Sequence, residues 1–279
     1  MRKAILLVSA LTLACVVWVT ALASAAGPSP GINQSPTGLT NGKMRYVTLP
    51  AGASTSVEAV NRQTGRVVRR FALAGAWGIP LVAYDGTTEG LLADGHTLLL
   101  AQPLSSGPTL RGTTTFKLVD VRKMKVAGTV RLHGAFAFDA RSPDGRYLYL
   151  TEFVSPEDPS LYRVRAYDLR KRTLLAKIVT DRKSWETGMR GVPVTRSWTD
   201  GWAFTLYGGG DRPFIHALDT GHVEAVCIFM PWKTSPEGIF DFRLGTDGDG
   251  HLVVRGPHGR ALVVIDRDSF RVLRAVENP

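Results

Sequence analysis

Along most of this chain, hydrophobic and polar positions alternate with period two, in short runs broken by Gly, Pro, Asn and Asp. The clearest unit begins at Ala135 and reads AFAFDARSPDGRYLYLTEF, a loop, then YRVRAYDLRKRTLLAKIV. Phe136 and Phe138, Tyr147 and Tyr149, and Val164 and Ala166 each share a face of a strand, which is the pattern half-buried strands require. Four such strands joined by tight turns make one small antiparallel sheet.

The unit recurs about every fifty residues. Each copy has a turn ending in Asn-Gly or Asp-Gly, an alternating strand, a second strand closing on Asp or Asn, and a third strand. The turn glycines are Gly42, Gly95, Gly145, Gly201 and Gly250, and the closing residues are Asn61, Asp120, Asp168, Asp219 and Asp266. Asp-Gly and Asn-Gly supply the positive backbone dihedrals of tight hairpins, and the closing Asp or Asn can accept backbone N–H bonds of the next turn. These repeated polar residues are therefore read as structural. Self-similarity at this period, built from short strands, is the signature of propeller blades. The prediction is an all-β chain, a single β-propeller of about five four-stranded blades over residues 43–279.

Inner strands are expected near Ile79–Tyr84, Ala135–Ala140, Val192–Ser197 and Ile239–Leu244, and second strands near Arg45–Leu49, Thr97–Gln102, Tyr147–Phe153, Trp202–Tyr207 and His251–Arg255. Residues 26–42 are so rich in Pro and Gly that they read as a flexible leader. The first blade is accordingly expected to be three-stranded or poorly formed. Many propellers close by letting one terminus complete a blade begun by the other, but here Pro279 follows soon after the last outer strand. An incomplete ring would leave strand edges exposed.

The start of the chain alters the picture of where the protein works. Met1-Arg2-Lys3, an apolar run from Ala4 to about Ala23, and Ala23-Ser24-Ala25-Ala26 follow the order of a secretory signal, with cleavage expected after Ala25. The protein is thus expected to be secreted or extracytoplasmic. Because about twenty apolar residues also suffice to span a bilayer, an uncleaved N-terminal anchor is the alternative, and it is the only basis on which membrane contact is expected. A mature chain would retain Cys227 alone, so no intramolecular disulfide is expected despite the oxidising destination.

The formal net charge is +10, and removing Arg2 and Lys3 leaves it clearly basic. Such a charge favours loose association with cell-wall polymers, lipid headgroups or nucleic acid. The cations are spread through the repeats, with Arg62, Arg66, Arg69 and Arg70 in one and Arg163, Arg165, Arg170 and Arg172 in another. No nucleic-acid motif accompanies them, so no specific nucleic-acid partner is expected.

Arg45-Tyr46-Val47-Thr48, followed by the strand from Val57, the Thr64-Gly65 turn and Val67-Val68, resembles the YVTN-type β-propeller repeat. Arg146-Tyr147-Leu148-Tyr149-Leu150-Thr151, after Ser142-Pro143-Asp144-Gly145, is similar to the same pattern. The resemblance departs where Leu49 stands at the fourth motif position, and the Trp-Asp ending of WD repeats is absent. It implies a secreted or surface propeller related in shape to quinoprotein dehydrogenase subunits and bacterial lactonases. It does not imply their chemistry, since propellers host unrelated functions.

No His-Glu-x-x-His pair, phosphate-binding loop or Cys-x-x-Cys occurs in the sequence, and the Gly-x-Ser-x-Gly spacing at Gly27-Pro28-Ser29-Pro30-Gly31 falls in the Pro-rich leader, where no strand-to-helix elbow can form. Asp247-Gly248-Asp249 resembles the start of a calcium loop, but the twelfth position holds His258 in place of a bidentate Glu, and the segment occupies a hairpin position. No catalytic residue, metal site or cofactor is assigned. The expectation is a non-enzymatic binding module whose loop-rich face gathers Trp77, His133, Lys183, Trp185, Glu186, Trp232, Lys233 and Glu237 against a protein, glycan or cell-wall ligand. Indoles flanked by hydrogen-bonding groups suit sugars, peptides or cations. The alternative is a lactonase-like hydrolase or enzyme subunit with its site in the central channel around His133, Arg190 and Glu237.

Overall fold

The computed structural model describes residues 29–105, 109–155, 158, 160–181, 188–209, 212–277 and 279. A short ribbon precedes the first blade: β1 (Ile32–Asn33) pairs with β6 (Ile79–Pro80) further along the chain. The first blade is β2 (Leu39–Asn41), β3 (Met44–Ala51), β4 (Ser54–Asn61) and β5 (Val67–Ala74), in that order across the sheet. The second is β7 (Thr97–Ala101), β8 (Thr113–Asp120) and β9 (Lys125–His133). The third is β10 (Phe136–Arg141), β11 (Tyr147–Phe153), β12 (Tyr162–Asp168) and β13 (Thr173–Val179). The fourth is β14 (Val192–Thr199), β15 (Trp202–Gly208), β16 (Phe214–Asp219) and β17 (Glu224–Phe229). The last is β18 (Arg243–Thr246), β19 (Leu252–Arg255), β20 (Ala261–Ile265) and β21 (Val272–Ala275). All ladders between these strands are antiparallel, and among the described residues no blade mixes strands from the two ends of the chain. No helix among the described residues is long and apolar enough to cross a membrane.

The turns form as their residues dictate. Gly42, Gly95, Gly145, Gly201 and Gly250 all have positive φ, between 55° and 84°. Asn61, Asp120, Asp168, Asp219 and Asp266 each accept backbone N–H bonds from residues two or three positions on. Each bond satisfies a donor that the hairpin would otherwise leave without a partner.

Between turns the strands are held by apolar contacts on both faces. Leu98 and Leu100 pack with Tyr46, Val57 and Trp77 at the junction of the first two blades. Leu99 points the other way, against Phe136, Phe138, Leu148 and Leu150 of the third blade. A middle strand sandwiched between two sheets reads as a continuous apolar run, TLLLA in β7. Tyr149, Val164 and Ala203 fill the next junction, and Phe204, Leu206, Phe242, Leu252 and Val254 the last.

Three expectations need correction. Residues 26–42 are not a featureless leader where they are described: Ile32–Asn33 and Leu39–Asn41 are strands, and the latter gives the first blade its inner strand. The irregular blade is instead the second, whose inner position is filled by two separate bridges, Gly78 to Ala101 and Leu91 to Leu98. In the last blade the expected inner strand starts late, because Ile239–Asp241 coils into a single 3-10 turn behind Gly238, whose φ is 72°.

Candidate functional site

The chain between the two inner-position bridges of the second blade leaves the sheet and crosses the propeller axis. At its tip Tyr84 and Asp85 donate backbone N–H bonds of 2.8 and 3.0 Å to Pro193 and Val194 of the non-adjacent fourth blade. Thr88 Oγ1 donates to Gly38 O of the first blade, and the Tyr84 ring meets Phe240 of the last edge-on at 6.0 Å. This excursion plugs the axis with backbone bonded on two sides.

Beneath it lies a buried ionic cluster. Arg196, on the fourth inner strand, donates from Nη2 to Asp139 Oδ1 and from Nη1 to Asp139 O at 2.5 Å. It also donates from Nε to Thr205 Oγ1 at 2.9 Å, and Nη1 stands 3.4 Å from Glu89 Oε1. Burial alone would lower the guanidinium, but the carboxylates of Asp139 and Glu89 more than reverse this and keep it protonated. Burial raises the Glu89 carboxyl above the ordinary range, and Arg196 pulls it down by less. Across the strands of the fourth blade, Arg196, Thr205, His216 and Cys227 form a row from axis to rim. Burial pushes His216 down to about 4, and its Nε2 is buried without a hydrogen-bond partner, as is Asp139 Oδ2. Arg196, Asp139 and Glu89 thus hold one another across the blades, with one Asp139 oxygen left over.

Of the residues expected to line the loop-rich face, the described ones do not form an open platform. Trp77 and Trp232 are each only 4% exposed and sit in the blade junctions. Their indole N–H groups donate to Ala74 O at 2.7 Å and Val276 O at 2.8 Å. Burying indoles with their N–H satisfied is their ordinary use, and these two offer no open platform. His133 ends the outermost strand β9 and is exposed at the rim, not at the axis. Lys233 and Glu237 are exposed. Lys183, Trp185 and Glu186 lie outside the described residues. Arg190 is engaged by Asp158 at 3.2 Å and by Ser160, so the channel trio of the alternative reading does not assemble. Asp247, Asp249 and His251 lie within 4.8 Å of one another, but Asp247 accepts the N–H groups of Asp249 and His251 and so closes its own hairpin.

What the sequence reading passed over is a segregation of charge created by topology. In every blade, the first-to-second and third-to-fourth strand turns fall on one face, and consecutive turns adjoin. Asn41 Nδ2 donates to Gly95 O at 3.3 Å, Tyr149 donates to Thr220 O at 2.7 Å, and Arg267 pairs with Asp200 at 2.9 Å. On this face the third-to-fourth turns of the first three blades carry Arg62 and Arg66, then Arg122, Lys123 and Lys125, then Arg170, Lys171 and Arg172, all exposed. Among the described residues only Lys123 of these has a carboxylate within 4.0 Å, its own turn's Asp120 at 3.8 Å. The matching turns of the last two blades carry Asp219, His222 and Glu224, then Asp266, Arg267, Asp268 and Arg271. With the closing aspartates Asp120 and Asp168 counted as well, each of the first three turns keeps a formal charge of +2, against −2 and 0 for the last two with His222 neutral, so the third-to-fourth turns form a cationic arc over three blades. By contrast Arg163 and Arg165, from the same sequence stretch, are spent on Glu152 at 2.6 and 2.8 Å.

No protein-family model and no curated protein sequence matches the chain. Solved structures do. Dihydro-heme d1 dehydrogenase NirN, solved with DHE, is 14% identical with a TM-score of 0.51, over 91% of this chain and 49% of that one. Hydrazine synthase of Kuenenia stuttgartiensis is 23% identical with a TM-score of 0.40, over 66% of this chain and 47% of that one. The β-propeller domain of the Trilobed protease from Pyrococcus furiosus, described as having an open velcro topology, is 10% identical with a TM-score of 0.45, over 88% and 70% of the two chains. The chain spans about half the length of the first two. The likeness is one of fold, and the strand order carries the same conclusion: this is a β-propeller.

Proposed function

We propose that the chain is a secreted or cell-surface propeller of the YVTN-like type that works by binding, and that its cationic turn face docks an anionic polymer of the cell envelope. The observation that carries this is the arc of eight exposed cations on three consecutive turns, of which, among the described residues, only Lys123 has a carboxylate within 4.0 Å, set beside neutral and acidic turns on the same face. A flexible polymer can follow the arc and avoid the acidic blades. A flat bilayer must approach the whole face, including Asp200, Asp249 and Asp268, and so fits less well. Secretion is supported by the basic, apolar and small-residue order of residues 1–26. The runner-up, a lactonase-like enzyme working at the axis, has less support, because the plug and the paired Arg196, Asp139 and Glu89 occupy that place.

The test is binding of soluble poly(glycerol phosphate) to the full chain by fluorescence anisotropy. The variant R170Q/K171Q/R172Q is expected to weaken it at least tenfold, and R255Q/R271Q/R274Q, with the same change in net charge, less than twofold. Equal losses in both would reduce the effect to net charge and sink the reading; tighter binding to phosphatidylglycerol vesicles than to the polymer would transfer it to a membrane.

A further inference from the structure

On the cationic face, the junction of the first two blades opens into a cleft of about 320 Å³. An equivalent cleft of about 330 Å³ lies between the fourth and last blades, at the same place in the repeat. The two differ in chemistry. The second is walled by Trp202 and Phe270, whose rings meet at 5.3 Å, with Asp200, Asp268 and Arg267 also lining it and Arg267 spent on Asp200 at 2.9 Å. The first is lined by Arg69, Arg122, His96 and Tyr46, with one carboxylate, Asp94.

Arg69 is fixed in place. From β5 of the first blade its Nη1 reaches across the junction to the carbonyls of Val121 and Arg122 at 3.4 and 3.1 Å. Its Nε and Nη2 have no hydrogen-bond partner among the described residues, so the two-pronged edge of the guanidinium stays available. The side chain of Arg122, on the opposite wall, likewise makes no bond among the described residues. Asp94 keeps its charge, since its oxygens accept from His96 N, Thr97 N and Thr97 Oγ1 at 2.9, 2.8 and 2.6 Å, but the two guanidinium groups of the cleft outnumber it. His96 also lines the cleft but stays with its own turn, its Nδ1 2.8 Å from Asp94 O and its Nε2 3.5 Å from the Asp94 carboxylate. Two guanidinium groups, Arg69 from the first blade and Arg122 from the second, thus line one cleft and suit the oxygens of a tetrahedral oxyanion, because a planar guanidinium edge binds such oxygens two at a time.

We propose that this cleft seats one phosphoryl group. The inference deepens the reading of the turn face and rests on it for the claim that the group belongs to an envelope polymer: the arc would hold the chain loosely while the cleft fixes one phosphate and sets the register.

The experiment is a titration of the full chain with inorganic phosphate at constant ionic strength, followed by amide and imidazole NMR shifts. The expected result is saturable shifts confined to His96, Tyr46, Arg69 and Arg122, an affinity at least tenfold weaker in R69Q/R122Q, and no change in R170Q/K171Q/R172Q. Arg122→Gln alone removes a side chain the fold does not use, so it keeps the test sound if the double variant melts early; it should weaken phosphate at least threefold. Non-saturating shifts spread over all the turns, or equal affinity in R122Q and wild type, would overturn the seat. Loss of the seat with polymer binding intact would leave the turn-face reading standing. Phosphate held in the cleft by a protein that binds no poly(glycerol phosphate) would leave a seat for free phosphate and remove the polymer.

Discussion

At the scale of single residues, the third-to-fourth strand turns show how one backbone demand is met by unlike side chains. The position has positive φ in every blade: Gly65 at 67°, Met124 at 48°, Arg172 at 56°, Val223 at 59° and Phe270 at 57°. Only glycine adopts that region without strain, and a β-branched residue there is an outlier. Met124, Val223 and Phe270 offset the strain by packing on the blade junctions, whereas Arg172 is exposed and offsets nothing. Arg172→Gly should therefore stabilise by about 0.5–1 kcal/mol, and Gly65→Ala, whose Cβ meets nothing within 4 Å, should cost about 1 kcal/mol through strain alone. Opposite shifts in chemical denaturation midpoint would bear this out; shifts of the same sign would not. The buried histidine makes a second claim. His216 titrates near 4 in the fold against 6.5 when free, so the unfolded chain binds the extra proton between those values. Stability from this residue is complete above pH 6.5 and is lost as pH falls toward 4, by about 3 kcal/mol at most. Glu89 acts in the opposite sense, since its raised carboxyl favours the fold at acid pH and that help fades as pH rises. The difference between wild type and His216→Gln isolates the histidine, and equal melting-temperature slopes in the two between pH 6.5 and 4 would refute its role. Neither feature was legible beforehand: a lone His in a strand says nothing of whether its row of neighbours closes over it.

At the scale of elements, second and third strands were legible because they bury both faces and end on residues with one structural use. Tyr147–Phe153 begins and ends where the period-two pattern placed it, and Phe136 and Phe138 are both buried on the shared face. Inner strands were harder, since they are short and their partners come from loops. Leu39–Asn41 was hidden by the breakers around it, yet those breakers make it possible. Gly38 passes so close to Tyr46 O and the Val47 side chain that a Cβ there would overlap the backbone. Only glycine lets the chain turn at φ 50° against β3 and deliver Leu39 into the junction. Gly38→Val should accordingly release β2 and the preceding ribbon. Limited proteolysis would then cut between residues 29 and 42 at least tenfold faster than in wild type, with the third and fourth blades still protected. Unchanged cleavage would mean that the first blade does not depend on its inner strand. Two residues of the candidate site misled at this scale in the opposite way: Trp77 and Trp232 looked like a platform because they follow outer strands, but loops that follow outer strands also seal the junctions between blades.

At the scale of the whole molecule, the charge that appeared as a diffuse basic surface in the sequence becomes ordered by the fold. Arginines about fifty residues apart cannot be recognised as one surface until third-to-fourth strand turns are known to share a face, and Arg163 and Arg165 cannot be set aside until Glu152 is seen between them. The arrangement fixes what polymer binding should look like. Exposed cations release counterions from a polyanion, so the logarithm of the affinity should fall linearly with the logarithm of salt concentration, by roughly 0.7–0.9 for each phosphate neutralised. A chain that follows the arc and engages about four of its cations gives a slope of about −3, and roughly a hundredfold loss between 50 and 200 mM salt. In R170Q/K171Q/R172Q one blade's share is gone, and the slope should flatten by about one unit. In R69Q/R122Q the two cations of the cleft are removed, so the slope should flatten by a comparable amount, while the affinity that remains at high salt, where screening has removed the long-range part, falls most. A wild-type slope near zero would exclude an electrostatic arc, and flattening by equal amounts in R170Q/K171Q/R172Q and R255Q/R271Q/R274Q would show that the polymer reads net charge rather than the face that the blades assemble.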